Sequence, residues 1–253
     1  MDDSHKNYEG YLAFVNKYKS SLGYKGNYSK NEIEIVDDIS LFPTCEESAV
    51  GQMVKQGTPR EDAVKRARIG IREENRWGVS ICEPVKLPTG TYGTFIRFIS
   101  WGQLDSGFAG MIIIPVLTDG KLIFTKAFRN ATRNWCLEFP RGTRDPGDSI
   151  LKTLNSELKE EVGAKVLKDP VKIGEVFPDS GILTSIVEIY KAEIEIVGEA
   201  TPGVTEAIKG LVFLTPEEVK ALLKSQLYID EDGKGYEFKD SFTLVALTLF
   251  NIR

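Results

Sequence analysis

The chain reads as a mixed α/β protein of the α+β kind, preceded by a small helical extension. Three observations predict this. Strand-like runs separated by turn signals fill the middle of the chain. One amphipathic helical pattern, residues 150–162, falls between them. Further helical patterns close the C-terminal part. With 253 residues, 42% of them hydrophobic and 27% charged, there is enough chain for a large domain plus an appendage. The division is read as residues 1–76 for the extension and 77–253 for the larger domain.

Several function classes are disfavoured at once. A net charge of −5 carries no basic excess, which argues against nucleic acid as the main partner. No apolar run reaches membrane-spanning length, and Met1–Gly10 shows no signal-peptide pattern. Cys45, Cys82 and Cys136 are scattered and odd in number, which argues against a disulfide framework and fits a reducing cytoplasm. The single histidine, His5, leaves little room for a His-based zinc site or a Ser-His-Asp triad.

The elements follow in order. Tyr8, Leu12, Val15 and Tyr18 outline a short amphipathic helix, and Ser20–Lys30 is a polar loop. Thr44-Cys45-Glu46-Glu47 and Thr58-Pro59-Arg60-Glu61 both fit a capping box, with Pro59 at the first helical position. The second of these helices carries Lys65, Arg66, Arg68 and Arg72, read as a solvated face in preference to a phosphate or partner surface. Val79–Val85 and Gly93–Ser100 are strands around the turn Pro88-Thr89-Gly90. Phe108–Leu117 and Lys121–Phe128 form a hairpin through Asp119-Gly120. Trp135–Phe139 leads into Pro140-Arg141-Gly142. Val171–Val176 and Ile186–Val197 are strand-like. Thr215-Pro216-Glu217-Glu218 is a third capping box, opening a helix through Val219, Leu222 and Leu223. Residues 230–235 lack calcium-loop spacing and read as a hairpin or exposed turn. Phe242–Phe250 is a final apolar helix that packs on the sheet.

The chain is organised around Gly142–Ala164. A Gly/Pro-punctuated loop, Thr143–Gly147, enters a helix that Asp148 or Ser149 can cap and that Gly163 ends in a left-handed conformation. Ile150, Leu151, Leu154, Leu158 and Val162 make one apolar face. Glu157, Glu160 and Glu161 share another, at a repulsive cost of roughly 0.2–0.5 kcal/mol per pair. Two readings follow: a hard oxygen site suited to Mg²⁺ or Mn²⁺, or a solvated acidic face on an ordinary helix.

The spacing favours the first. This stretch resembles the Nudix box, G-x5-E-x7-R-E-U-x-E-E-x-G-U, where U is bulky and apolar. Gly142, Glu157, Leu158, Glu160, Glu161 and Gly163 fall in register. Asp148 stands for the first Glu, Ser156 for the Arg, and the small Ala164 for the last apolar residue. The segment Lys126-Ala127-Phe128-Arg129, with Leu137-Glu138-Phe139-Pro140-Arg141-Gly142, resembles the ADP-ribose pyrophosphatase branch. So does the C-terminal stretch 239–247.

The resemblance implies a mixed sheet sandwiched between helices. It implies Mg²⁺ or Mn²⁺ held by Glu157 and Glu161, with Glu160 third and the main-chain carbonyl of Arg141 a further ligand. Gly142 is expected to let the backbone turn tightly there. Arg129 is read as a phosphate-binding residue or a surface strand charge. Glu138 is read as a substrate- or metal-facing Glu or as half of a cross-strand salt bridge. The branch places a general base on a loop past the box, and Glu206 is preferred over Glu199 for it. Because Ser156 leaves the carboxylates without the box Arg, Lys152 or Lys159 is expected to supply that charge.

The function implied is a metal-dependent pyrophosphohydrolase cleaving a nucleoside diphosphate joined to another moiety, with ADP-ribose or a nucleotide-sugar leading. The alternatives are a catalytically weak Nudix domain that senses a nucleotide-sugar, or a hydrolase of a dinucleotide, an oxidised nucleotide or a CoA derivative. By the same resemblance the chain is a homodimer with a small-molecule partner.

Overall fold

The computed structural model describes residues 3–143, 147–203 and 206–251. It divides into two compact units. One is Met1–Gly107 with Asp179–Ser185, the other Phe108–Pro178 with Ile186–Arg253.

The first unit opens with α1 (Asp3–Lys17), which buries Tyr8, Tyr11 and Phe14. Then come β1 (Glu34–Ile35), α2 (Phe42–Lys55), α3 (Arg60–Ala67), β2 (Gly70–Asn75), β3 (Gly78–Lys86), β4 (Tyr92–Ser100) and α4 (Trp101–Ser106). The expected division after Arg76 falls in the turn between β2 and β3, which pair antiparallel from Gly70↔Cys82 to Asn75↔Gly78. The N-terminal segment thus contributes strands as well as helices. Glu83 of β3 is buried in this unit and forms an ion pair with Arg97 of β4, Nε to Oε2 at 2.5 Å.

Neither expected capping box forms in this unit. Asp38 caps a 3₁₀ turn, Ile39–Leu41, that runs directly into α2, so Thr44 already lies inside the helix. Pro59 is the residue before α3, and no side chain caps that helix. The basic residues of α3 are exposed, and Arg72 is used internally. Its guanidinium donates to the carbonyls of Lys65 and Arg68 at 2.5 and 2.7 Å and so satisfies the C-terminal end of α3.

The second unit runs β5 (Gly110–Leu117), β6 (Leu122–Arg129), β7 (Asn134–Glu138), β8 (Arg141–Gly142), α5 (Ile150–Glu157, which a π turn, Leu158–Val162, extends), β9 (Ala164–Val166) and β10 (Val171–Val176). β11 (Leu183–Thr184) belongs to the first unit, where it pairs with β4. Then follow β12 (Val187–Ile196), β13 (Ile208–Leu214), α6 (Pro216–Ser225), β14 (Leu227–Ile229), β15 (Gly235–Glu237) and α7 (Ser241–Leu249). The hairpin between β5 and β6 turns on Asp119-Gly120 as expected, Gly120 taking φ +85°. Residues 230–234 are the turn of the β14–β15 hairpin. The capping box at Thr215 is complete in both halves.

The main sheet mixes parallel and antiparallel pairs. β12 runs parallel to β5 from Val187↔Gly110 to Ile194↔Leu117, while β6 is antiparallel to β7 and β13. Alternation along β5 decides the layers. Ile112, Ile114 and Val116 join the core with α6 and α7, and Met111 and Ile113 join Leu154, Leu158 and Val162 of α5 and its π turn. The sheet is therefore sandwiched between helices. Leu151 departs from the expected apolar face of α5. It is 43% exposed, because the sheet contacts the stripe through positions 154, 158 and 162.

Candidate active site

The site forms where α5 ends. Ser149 caps the helix through the amide of Lys152. Of the loop before it, residues 144–146 lie outside the described residues. Glu157 closes the α-helical part, and the π turn carries Glu161 on the next turn. Single π turns inserted in α-helices occur frequently at functional sites. Gly163 ends the segment at φ +69°, and a Cβ there would collide with the Gly198 carbonyl.

That close approach pins the following loop to the helix end. The amides of Val197 and Gly198 donate to the Gly163 carbonyl, and the Thr201 amide donates to the Glu160 carbonyl at 2.7 Å. The loop then brings Glu206 back, its carboxylate accepting the Gly203 amide at 2.9 Å. Residues 204–205 of this loop lie outside the described residues. As a result Glu157, Glu161 and Glu206 converge, with one carboxylate oxygen of each within 4.8 Å of the others. Glu160 and Glu199 are exposed and stand outside this group.

The environments of the three differ. Glu161 is buried, Glu157 half-buried and Glu206 exposed. Burial, followed by the charges of Glu157 and Glu206, pushes the Glu161 carboxyl up to about 8. The Arg141 amide, 3.3 Å from Glu161 Oε2, and the Arg129 guanidinium oppose that rise. Three converging carboxylates repel one another, and a divalent cation balances such an arrangement. The donors are all hard oxygens, which fits Mg²⁺ or Mn²⁺ better than a soft metal.

Gly142 serves this group, though not by a tight turn. It sits in β8 opposite Met111 without a left-handed φ, and the space a Cβ would fill is taken by the Glu157 side chain. Gly142 is therefore small to let Glu157 lie against the backbone. Gly110 does the same service for the Gly142 carbonyl, which a Cβ at Gly110 would approach to 2.8 Å. Nothing in the local sequence around Gly110 signals this second close approach.

A network of ion pairs adjoins the carboxylates. Glu138, at the end of β7, is fully buried and forms ion pairs with Arg129 of β6 and with Arg141, the latter at 3.1 Å. Burial raises the Glu138 carboxyl above the usual carboxylate range, against the opposing pull of the Arg141 and Arg129 guanidiniums. Of the two readings of Glu138, the salt-bridged one describes its contacts. Arg141 also reaches Asp240 at 3.5 Å. Ser156 is exposed. Lys152 pairs with Asp148 at 2.7 Å, and both Lys152 and Lys159 are exposed; among the described residues Arg129 is a cation that acts on Glu161.

Residues 109–232 match the NUDIX domain family. The ADP compounds hydrolase NudE of Escherichia coli (strain K12) is 40% identical over 53 residues, which span 21% of this chain and 28% of that protein. The ADP-ribose pyrophosphatase of Bacillus subtilis (strain 168) is 27% identical over 137 residues, or 54% of this chain and 70% of that protein. The crystal structure of an ADP compounds hydrolase superposes with a TM-score of 0.55 at 21% identity, covering 72% of this chain and 89% of that one. That last likeness concerns the fold.

Proposed function

Since the chain belongs to the Nudix hydrolase family through residues 109–232, we propose that it hydrolyses a phosphoanhydride in a nucleoside diphosphate derivative, with ADP-ribose or a nucleotide-sugar as substrate. The observation that carries this is the convergence of Glu157, Glu161 and Glu206 beside the Arg141 amide. The named activities of the two bacterial relatives support the substrate class.

Glu157 and Glu161 are the residues to hold Mg²⁺ or Mn²⁺. The Arg141 carbonyl joins them, because an extended residue sends its N–H and C=O to the same edge, and the Arg141 N–H already points at Glu161. Glu160 is left as a surface charge whose main chain anchors the loop. A bound divalent ion supplies charge neutralisation at phosphate oxygens and lowers the pKa of water. Glu206, exposed yet within the cluster, is the base best placed to take a proton from an attacking water. Arg129 is half-buried, and its five-donor guanidinium can bind a phosphate while Glu138 fixes its direction.

Glu157→Gln tests the reading. Product release from a panel of nucleoside diphosphate derivatives is measured with Mg²⁺, with Mn²⁺ and with EDTA. Metal-dependent cleavage of ADP-ribose that Glu157→Gln abolishes supports the enzyme. The exposed Ser156 in place of the box Arg motivates a second reading, a nucleotide-sugar sensor. Tight binding of one panel member without cleavage, unchanged by Glu157→Gln, selects it. We further propose a homodimer on the resemblance to the branch, and a cytoplasmic location on the three free, buried cysteines.

A further inference from the structure

We propose that Asp240 and Thr243, at the start of α7, are positioning residues for the carboxylate site, acting through the backbone of Phe139–Arg141. This inference rests on the metal-dependent reading given above. The chain of contacts is continuous. Asp240 is the N-cap of α7 and accepts both the Thr243 amide and the Thr243 hydroxyl on Oδ2, each at 2.9 Å. With its proton given to Asp240, the Thr243 oxygen offers a lone pair to the Phe139 amide, 3.1 Å away in a buried contact. The other Asp240 oxygen faces the Arg141 guanidinium, which lies over the Phe242 ring at 5.4 Å and is also paired with Glu138. Arg141 in turn presents its amide to Glu161.

Two residues of α7 thus fix both ends of the segment whose backbone lies against Glu161. An ordinary helix cap has no reason to bond a strand amide and a strand-end guanidinium as well. They act through the backbone that carries a ligand, and partners that orient a ligand typically carry about 10- to 100-fold in metal affinity.

Asp240→Asn separates the two roles. Asn caps a helix as well as Asp, so α7 keeps its start. Its carboxamide, however, can no longer offer an acceptor to Thr243 and a negative charge to Arg141 together. Mn²⁺ affinity is read by direct titration of the protein, and thermal unfolding is followed in parallel. The expected result is an unchanged melting midpoint with Mn²⁺ binding weakened about tenfold. Thr243→Val gives the same loss by removing the acceptor for Phe139, and Thr243→Ser restores wild-type affinity. Mn²⁺ affinity within twofold of wild type in Asp240→Asn overturns the proposal. The readout is binding, so it stands even if no panel substrate is cleaved. In that case the hydrolase reading fails while the positioning role is still decided.

Discussion

Gly142→Ala isolates the geometry of the site from the stability of the fold. The added Cβ would come well within 3.0 Å of Glu157 Oε1, Cδ and Cγ, a separation real Cβ atoms essentially never show. Ordinary contact needs about 3.5 Å or more, so the carboxylate has to retreat by about 1 Å or rotate away. The obstructed group is the far end of a flexible side chain, and Gly142 has no left-handed φ for alanine to strain. The fold should therefore lose little, within about 0.5–1 kcal/mol, which is small against typical core substitutions. The site should lose much, since a displacement of about 1 Å at a reacting centre can cost about 100-fold in rate. The assay pairs the thermal midpoint with turnover of ADP-ribose and with Mn²⁺ affinity. The expected outcome is a native midpoint with turnover down by about two orders of magnitude. A Gly142→Ala protein with wild-type turnover and Mn²⁺ affinity would refute the placement of Glu157 against the backbone, and with it the account of the box glycine.

Three other consequences can be measured. The Glu161 carboxyl, raised to about 8, keeps its proton at neutral pH in the metal-free protein. Metal binding at pH 7 should then release a proton, a release that vanishes by about pH 9, as calorimetry in buffers of different ionisation enthalpy would reveal. The stability sign follows from the raised value: the folded state holds this proton more tightly than the unfolded chain, so its contribution is full below the unfolded pKa and is lost as pH rises through about 8. Glu161→Gln should therefore raise the melting midpoint of the metal-free protein above pH 8 and abolish its rescue by Mn²⁺. The helix caps offer a contrast within one chain. Thr215→Ala removes the hydroxyl half of a working capping box, leaving the Thr215 amide on Glu218, and should cost about 0.5–2 kcal/mol, whereas Thr44→Ala, inside α2, should cost well under that in the same urea titration.

What the sequence made legible, and what it hid, divides along the range of the interactions involved. The apolar runs either side of Asp119-Gly120 and the spacing of Leu154, Leu158 and Val162 reported the sheet and its box helix, because a turn and a helical face are each set within one short stretch of chain. Thr44 and Thr215 carry the same local signature, yet only Thr215 caps, since whether a chain is already turning before a helix is decided by its neighbours, here the 3₁₀ turn from Ile39. The carboxylates show the same limit more sharply. On a regular helix Glu160 and Glu161 are equivalent neighbours of Glu157 at i+3 and i+4, and nothing local chooses between them. The choice is made by the π turn and by the loop that Gly163 allows to dock, which together leave Glu160 outside and bring Glu206 from 45 residues beyond Glu161. Among the described residues Arg129, on a strand, is a charge that opposes the rise at Glu161, and it lies 32 residues before it in the chain, beyond the reach of any helical spacing. Gly142 and Gly163 are where these long-range demands become visible in the sequence. Each is a glycine because another segment's atoms occupy the place of its Cβ. Spacing marked both positions, and only the packed structure supplies the reason that either must be small.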